Sequence, residues 1–184
     1  MNRGEAWNLL TSYVQQETLL KHCLATEAVM RSLARELGKD EESWGVAGLL
    51  HDLDFELTKD DPASHTLRTA DILRGRGVPE HTVEAIKAHN AEALGIERTT
   101  EMGLALSAAE SITGLVVAAA LVLPDKRLSS VKPKSITKRM KEKAFARNVN
   151  RETIRECEKL GMDLERFVEL SLKAMQGIAA ELGL

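Results

Sequence analysis

Apolar residues recur along nearly the whole chain at steps of three and four, and no Val-, Ile- or Thr-rich run alternates at every second position. The first spacing lays a stripe along one side of an α-helix, whereas the second is what a half-buried strand requires. The pattern therefore confines the chain to an all-α helical bundle. At 184 residues, 43% of them hydrophobic, it can bury one real core and fits a single domain over 1–184.

Start and stop signals divide the pattern. A first helix is expected over Gly4–Glu17 and a second over Leu19–Leu37, ended by Gly38. Asp40 can cap a third, whose Trp44, Val46, Leu49 and Leu50 lead directly to His51 and Asp52 before the acidic run DLDFELTKDDP breaks it. Pro62 reads as the opening of a fourth helix carrying His65 and stopping at Gly75 and Gly77, and a fifth runs from Pro79 to Asn90 with His89 at its far end. Leu104–Leu123 is long and apolar enough to raise a membrane span, but Glu110 within it is costly in lipid, and a buried core helix ended by Pro124 is the expectation. Beyond about 126 lies a C-terminal extension. It comprises a basic stretch, Lys126 to Arg147, then amphipathic patterning over Arg151–Leu160 and Leu164–Leu182, separated at Gly161.

A net charge of −3 and a pI near 6.0 argue against a general nucleic-acid binder, so basic character is local. The basic stretch reads as a solvated face, the alternative being a polyanion-holding flap. Two cysteines, Cys23 and Cys157, make no disulfide framework, and MNRGEAWNLLTSYVQQE lacks the apolar run of a signal peptide. A cytoplasmic protein with no membrane association is expected. The amphipathic C-terminal helix can cap the core or pair two copies as a homodimer.

A His-Asp dipeptide alone is more often a surface pair than a site. Here His51-Asp52 follows the apolar run WGVAGLL, which anchors its helix in the core, and leaving both groups buried and unpaired would cost several kcal/mol, on the order expected for ionisable groups. A cation would offset that cost. His22, His89 and Glu110 also fall on the inward sides of their helices, whereas His81, in the first turn after Pro79, reads as solvent-exposed.

The ordered set His22, His51-Asp52, His65 and His89, with the segments LLKHCLATEAVMRSLA, WGVAGLLHDLD and HTLRTADIL, resembles the HD superfamily of metal-dependent phosphohydrolases, and in particular its small stand-alone bacterial and archaeal members. The resemblance covers roughly 19–115. It implies an HD-domain helical bundle with a divalent ion (Mn, Fe, Co, Ni, Zn or Mg) held by His22, His51, Asp52 and Glu110. Glu110, in AAESITGL, stands where the family usually has aspartate. The resemblance also implies that His65 and His89 face the substrate phosphate or a second metal, and Lys21, beside His22 in sequence, is placed with them. One tightly bound ion is favoured and a second possible, because His89 is followed by Asn90 rather than another histidine. Asp54 occupies a place where glycine is frequent; Asp52, Asp54 and Glu56 are the candidate catalytic residues, and proximity in sequence assigns Asp54 or Glu56 to orienting the reacting water. The implied activity is hydrolysis of a phosphate ester, with nucleotides the expected class, by metal-activated water. The alternatives are a nucleotide- or metal-binding regulatory module that keeps the fold with little turnover, and a helical oligomerisation protein with no site.

Overall fold

The computed structural model describes residues 1–184, and its regular structure is entirely helical. Helix α1 (Arg3–Tyr13) starts in a capping box in which Asn2 and Glu5 satisfy each other's backbone N–H groups. Helix α2 (Glu17–Leu37) ends at Gly38, whose φ of 66° is the left-handed conformation that glycine adopts without strain. The Asp40 carboxylate accepts from the Ser43 N–H and starts α3 (Glu41–Leu50). Short α4 (Phe55–Thr58), α5 (Leu67–Arg74), α6 (Glu80–His89) and α7 (Ala91–Leu94) lead to the long α8 (Glu101–Leu121), capped by Thr100. A 3-10 turn (Leu128–Ser130) and α9 (Pro133–Arg139) come next, then α10 (Arg151–Ile154) running into a 3-10 segment (Arg155–Leu160). The chain closes with α11 (Leu164–Gln176) and α12 (Ala179–Leu182).

Helix α8 is the centre of the core, with α2, α6, α10, α11 and the 155–160 segment packed around it. It is the one helix long and apolar enough to cross a membrane, but 72% of its most apolar window is buried inside the fold. Packing of this bundle thus accounts for its apolar character. Helices α2 and α3 form the closest pair. A Cβ on Gly48 would lie 2.9 Å from the Thr26 carbonyl oxygen and 3.0 Å from the Glu27 backbone, so only glycine permits the approach. Buried Glu27 on α2 is neutralised by both Arg3 and Arg31, which ties α1 to the same layer.

Several sequence expectations are corrected. The first helix stops at Tyr13 rather than Glu17, because the N–H groups of Gln15 and Gln16 turn out to meet Glu56 Oε1 at 2.8 and 2.7 Å. Pro62 does not open a helix. Residues 62–66 form turns, Thr66 adopts a left-handed φ of 72°, and α5 begins only at Leu67, which leaves His65 off the helix. The predicted Arg151–Leu160 helix is mostly 3-10, and the final helix is interrupted after Gln176.

The basic stretch is partly organised. The Arg151 guanidinium donates to the carbonyls of Phe145, Ala146 and Val149, and Arg139 stacks over the Phe145 ring at 3.8 Å. Lys132, Lys134, Lys138, Lys141, Lys143 and Arg147 remain exposed on it. Arg98, almost buried, bridges Glu92 of α7 and Glu156 of the 3-10 segment, joining the middle of the chain to its C-terminal third.

Candidate metal centre

Four histidines and one aspartate from four places in the chain converge at one end of α3 and α6. His51 caps α3 and His89 is the last residue of α6. The last carbonyls of a helix have no partner within it. Each of these histidines donates Nδ1–H to the carbonyl three residues back, His51 to Gly48 at 2.8 Å and His89 to Ile86 at 2.7 Å. That single bond fixes tautomer and ring direction together, leaving Nε2 with its lone pair pointing off the helix end.

The other two histidines are oriented by side chains. His22, on the first turns of α2, has Nδ1 3.2 Å from Thr113 Oγ1; the Thr113 hydroxyl proton is spent on the Glu110 carbonyl at 2.7 Å, so Thr113 accepts and His22 donates. His65 places Nδ1 2.8 Å from Asp54 Oδ1. All four rings therefore turn Nε2 inward. His22 and His51 meet Nε2 to Nε2 at 3.1 Å, and so do His65 and His89.

Asp52 lies between the pairs. Its Oδ2 is 3.5 Å from His51 Nε2 and 3.8 Å from His22 Nε2, while its Oδ1 is 3.2 Å from His65 Nε2 and 3.4 Å from His89 Nε2. Two three-residue groups suited to a cation result, His22–His51–Asp52 and Asp52–His65–His89, with the aspartate common to both. Facing lone pairs 3.1 Å apart beside a carboxylate repel unless a positive charge, a proton or a metal ion, stands between them. Neutral imidazoles with a carboxylate suit divalent first-row metals, so the donor chemistry fits the cofactor expected from the sequence.

The charge states follow from the same geometry. Burial holds His51 neutral, down to about 3, against the pull of Asp52. Burial alone would raise the Asp52 carboxyl, but His51, His65 and His89 carry it well below the usual carboxylate range. Burial likewise opposes charge on His65, yet Asp52 and Asp54 on its two nitrogens lift it to about 9.

The remaining expected residues stand outside the two groups, Glu110 nearest, within electrostatic reach of His89, His22 and Asp52. Glu110 is outside both groups: its Oε1 accepts from Ser111 Oγ at 2.7 Å, and burial raises its carboxyl above the ordinary range. Of the expected quartet of ligands, His22, His51 and Asp52 form one group, while the Glu110 carboxylate is turned to its neighbour Ser111. Asp54 is fully buried and faces away from the reacting centre, its two oxygens taken by the N–H groups of Thr66 and Thr69 and by His65. Glu56 Oε1 accepts from the N–H groups of Gln15 and Gln16 in the α1–α2 link. Lys21 pairs with Glu17 at 2.7 Å and lines a groove of about 410 Å³ beside His22, with Thr113, Val117, Leu121 and Leu182 among its walls. His81 is exposed, as expected. Thr113, Thr66 and Thr69 were not singled out by sequence reasoning; the carbonyls of Gly48 and Ile86 could have been, from a histidine at each helix end.

Comparison with known proteins agrees with this geometry. A family model described as "HD domain" matches residues 19–121. Proteins named ribonuclease Y are similar over part of the chain. That of Nitratidesulfovibrio vulgaris (strain DP4) is 33% identical over 104 residues, 56% of this chain and 19% of that protein. That of Acidothermus cellulolyticus is 35% identical over 104 residues, 56% of this chain and 20% of that protein. That of Sulfurovum sp. (strain NBC37-1) is 29% identical over 139 residues, 74% of this chain and 27% of that protein. The chain thus spans only about a fifth to a quarter of the length of these relatives. No solved structure matches the chain.

Proposed function

Since this chain belongs to the HD-domain family, within the superfamily of metal-dependent phosphohydrolases, we propose that it hydrolyses a phosphate ester, of nucleotide class, at a centre for two divalent ions joined by Asp52. The observation that carries the reading is the Asp52 carboxylate, with one oxygen turned to each histidine pair. A bridging aspartate departs from the single tight ion favoured by the sequence. His22 and His51 hold one position, His65 and His89 the other, and the identity of the ions is left open among Mn, Fe, Co, Ni, Zn and Mg.

Bound divalent ions would make water acidic enough to supply a nucleophile near neutral pH and would neutralise phosphoryl oxygens. The protein's own part is positional. Four Nδ1–H bonds orient the rings before any substrate arrives. His51 stays neutral through burial, and Asp52 stays ionised, so both are ready as donors at neutral pH. Phe55, exposed and packed edge-on against His65 at 5.6 Å between ring centres, supplies an apolar surface beside the second position.

The test is elemental analysis of the purified chain, with phosphomonoester, phosphodiester and nucleotide substrates offered alongside Mn, Co or Mg, repeated on Asp52→Ala. Two ions per chain and turnover that Asp52→Ala abolishes are expected, since loss of a ligand should exceed the roughly 10–100-fold effect of losing an outer partner. Glu110 supports a second reading, a regulatory module that binds metal or nucleotide with little turnover, because its carboxylate is engaged by Ser111. Metal uptake with no hydrolysis of any substrate would favour that module.

A further inference from the structure

His65 differs from the other three histidines in what holds it. His51 and His89 are fixed by the ends of their own helices, and His22 sits within α2. His65 lies in a turn, and its neighbour Thr66 is a β-branched residue at φ 72°, a conformation such residues avoid unless the surroundings impose it. Something other than helix packing must therefore keep His65 beside His89.

Two side chains hold the turn: Asn90 Nδ2 donates to the Pro62 and His65 carbonyls at 2.8 and 3.0 Å, tying the backbone to the end of α6, and one buried carboxylate holds the His65 ring and the N–H groups that follow it. Asp54 Oδ1 accepts from Thr66 N–H at 3.2 Å and from His65 Nδ1–H at 2.8 Å, and its Oδ2 accepts from Thr69 N–H at 2.9 Å. Thr66 makes no side-chain cap for α5, so Asp54 supplies from a distance the acceptor that a cap residue normally gives. The Asp54 N–H in turn donates to Thr69 Oγ1 at 3.2 Å, closing the link between the His51–Asp54 turn and the start of α5. A fully buried carboxylate is tolerated here because three N–H donors surround it.

We propose that Asp54 is the positioning residue that builds the second cation position, by clamping the 65–69 turn and holding His65 with Nδ1–H toward itself and Nε2 toward Asp52. The inference rests on the two-ion reading above. It assigns the halves of the centre different supports: a carboxylate stands behind His65, whereas neutral oxygens stand behind His22, His51 and His89. A carboxylate behind a ligating imidazole fixes the ring and strengthens it as a donor.

Calorimetric titration of the full chain with manganese, for wild type and Asp54→Asn, tests this. Asparagine keeps the shape and one acceptor but loses the charge. Two binding events are expected in wild type, and in Asp54→Asn one of them should weaken by about 10–100-fold while the other is unchanged. Equal weakening of both events, or of neither, overturns the role of Asp54. Fewer than two events in wild type would overturn the two-ion reading itself, and the inference with it. Nitrogen-15 spectra of wild type with and without zinc make the test independent of how well the variant folds. A proton retained on Nδ1 of His65 in both states supports the clamp; a proton on Nε2 in the zinc-loaded state refutes it.

Discussion

A histidine at the last position of a helix meets a carbonyl that needs a donor, and two of the four rings here are aimed by that circumstance alone. His22 instead depends on a contact between α2 and α8, so Thr113→Val, which removes the acceptor without changing volume much, should weaken ion binding by about tenfold while leaving the fold intact. Metal titration beside a thermal melt separates the two effects. The protonation of the cluster also sets the pH response of the metal-free protein. His65 is raised from its unfolded value of 6.5 to about 9, so its contribution to stability is complete below about 6.5 and is lost as pH rises through 9. His51 is depressed to about 3, so its contribution is present above about 6.5 and fades as pH falls toward 3. Melts with chelator present should show the chain most stable near the crossing of these two ramps, and His65→Asn should flatten the alkaline side. His22, His51, Asp52 and His89 stood out in the sequence because ionisable residues beside apolar ones demand a reason, whereas His65 entered only through the family resemblance. The direction of Glu110 was not legible there, since the choice between an ion and the hydroxyl of Ser111 depends on a rotamer.

At the level of elements, the approach of α3 to α2 decides whether His51 can face His22. Gly48→Ala would press a methyl group into the backbone at Thr26 and Glu27, where no flexible side chain can give way, and a loss of roughly 1–3 kcal/mol is expected. A lowered melting temperature together with weaker ion binding would confirm it; wild-type values for both would show that the helices tolerate separation. Asp40 made the start of α3 readable, and Asn2, Thr100, Asn150 and Asp163 each likewise accept a backbone N–H at a helix start. The misreadings occurred where a distant residue overrode local preference. Pro62 carries a helix-opening signal, but Asp54 draws Thr66 into a left-handed turn that delays α5, and Glu56 captures two N–H groups that would otherwise have bridged α1 toward α2.

Across the whole molecule, ion binding and folding share one centre fed by α2, α3, α6 and the turn before α5, so an ion that binds only the native chain must raise its melting temperature, and chelator must lower it. A melting curve indifferent to added manganese would contradict that linkage. The HD-family match ends at 121, yet Arg98 fastens the matched part to Glu156, and α11 packs on α2 and α8, so the C-terminal third is packed against the matched part. That third also contains the stretch from Lys126 to Arg147, with nine Lys and Arg against a single Glu in a chain whose net charge is only −3. A titration curve averages such segregation away, but a chromatographic resin does not. At neutral pH, above the pI of about 6.0, the protein should be held on sulfonate beads by this one edge and on quaternary-amine beads by the rest of its surface, eluting from both with salt.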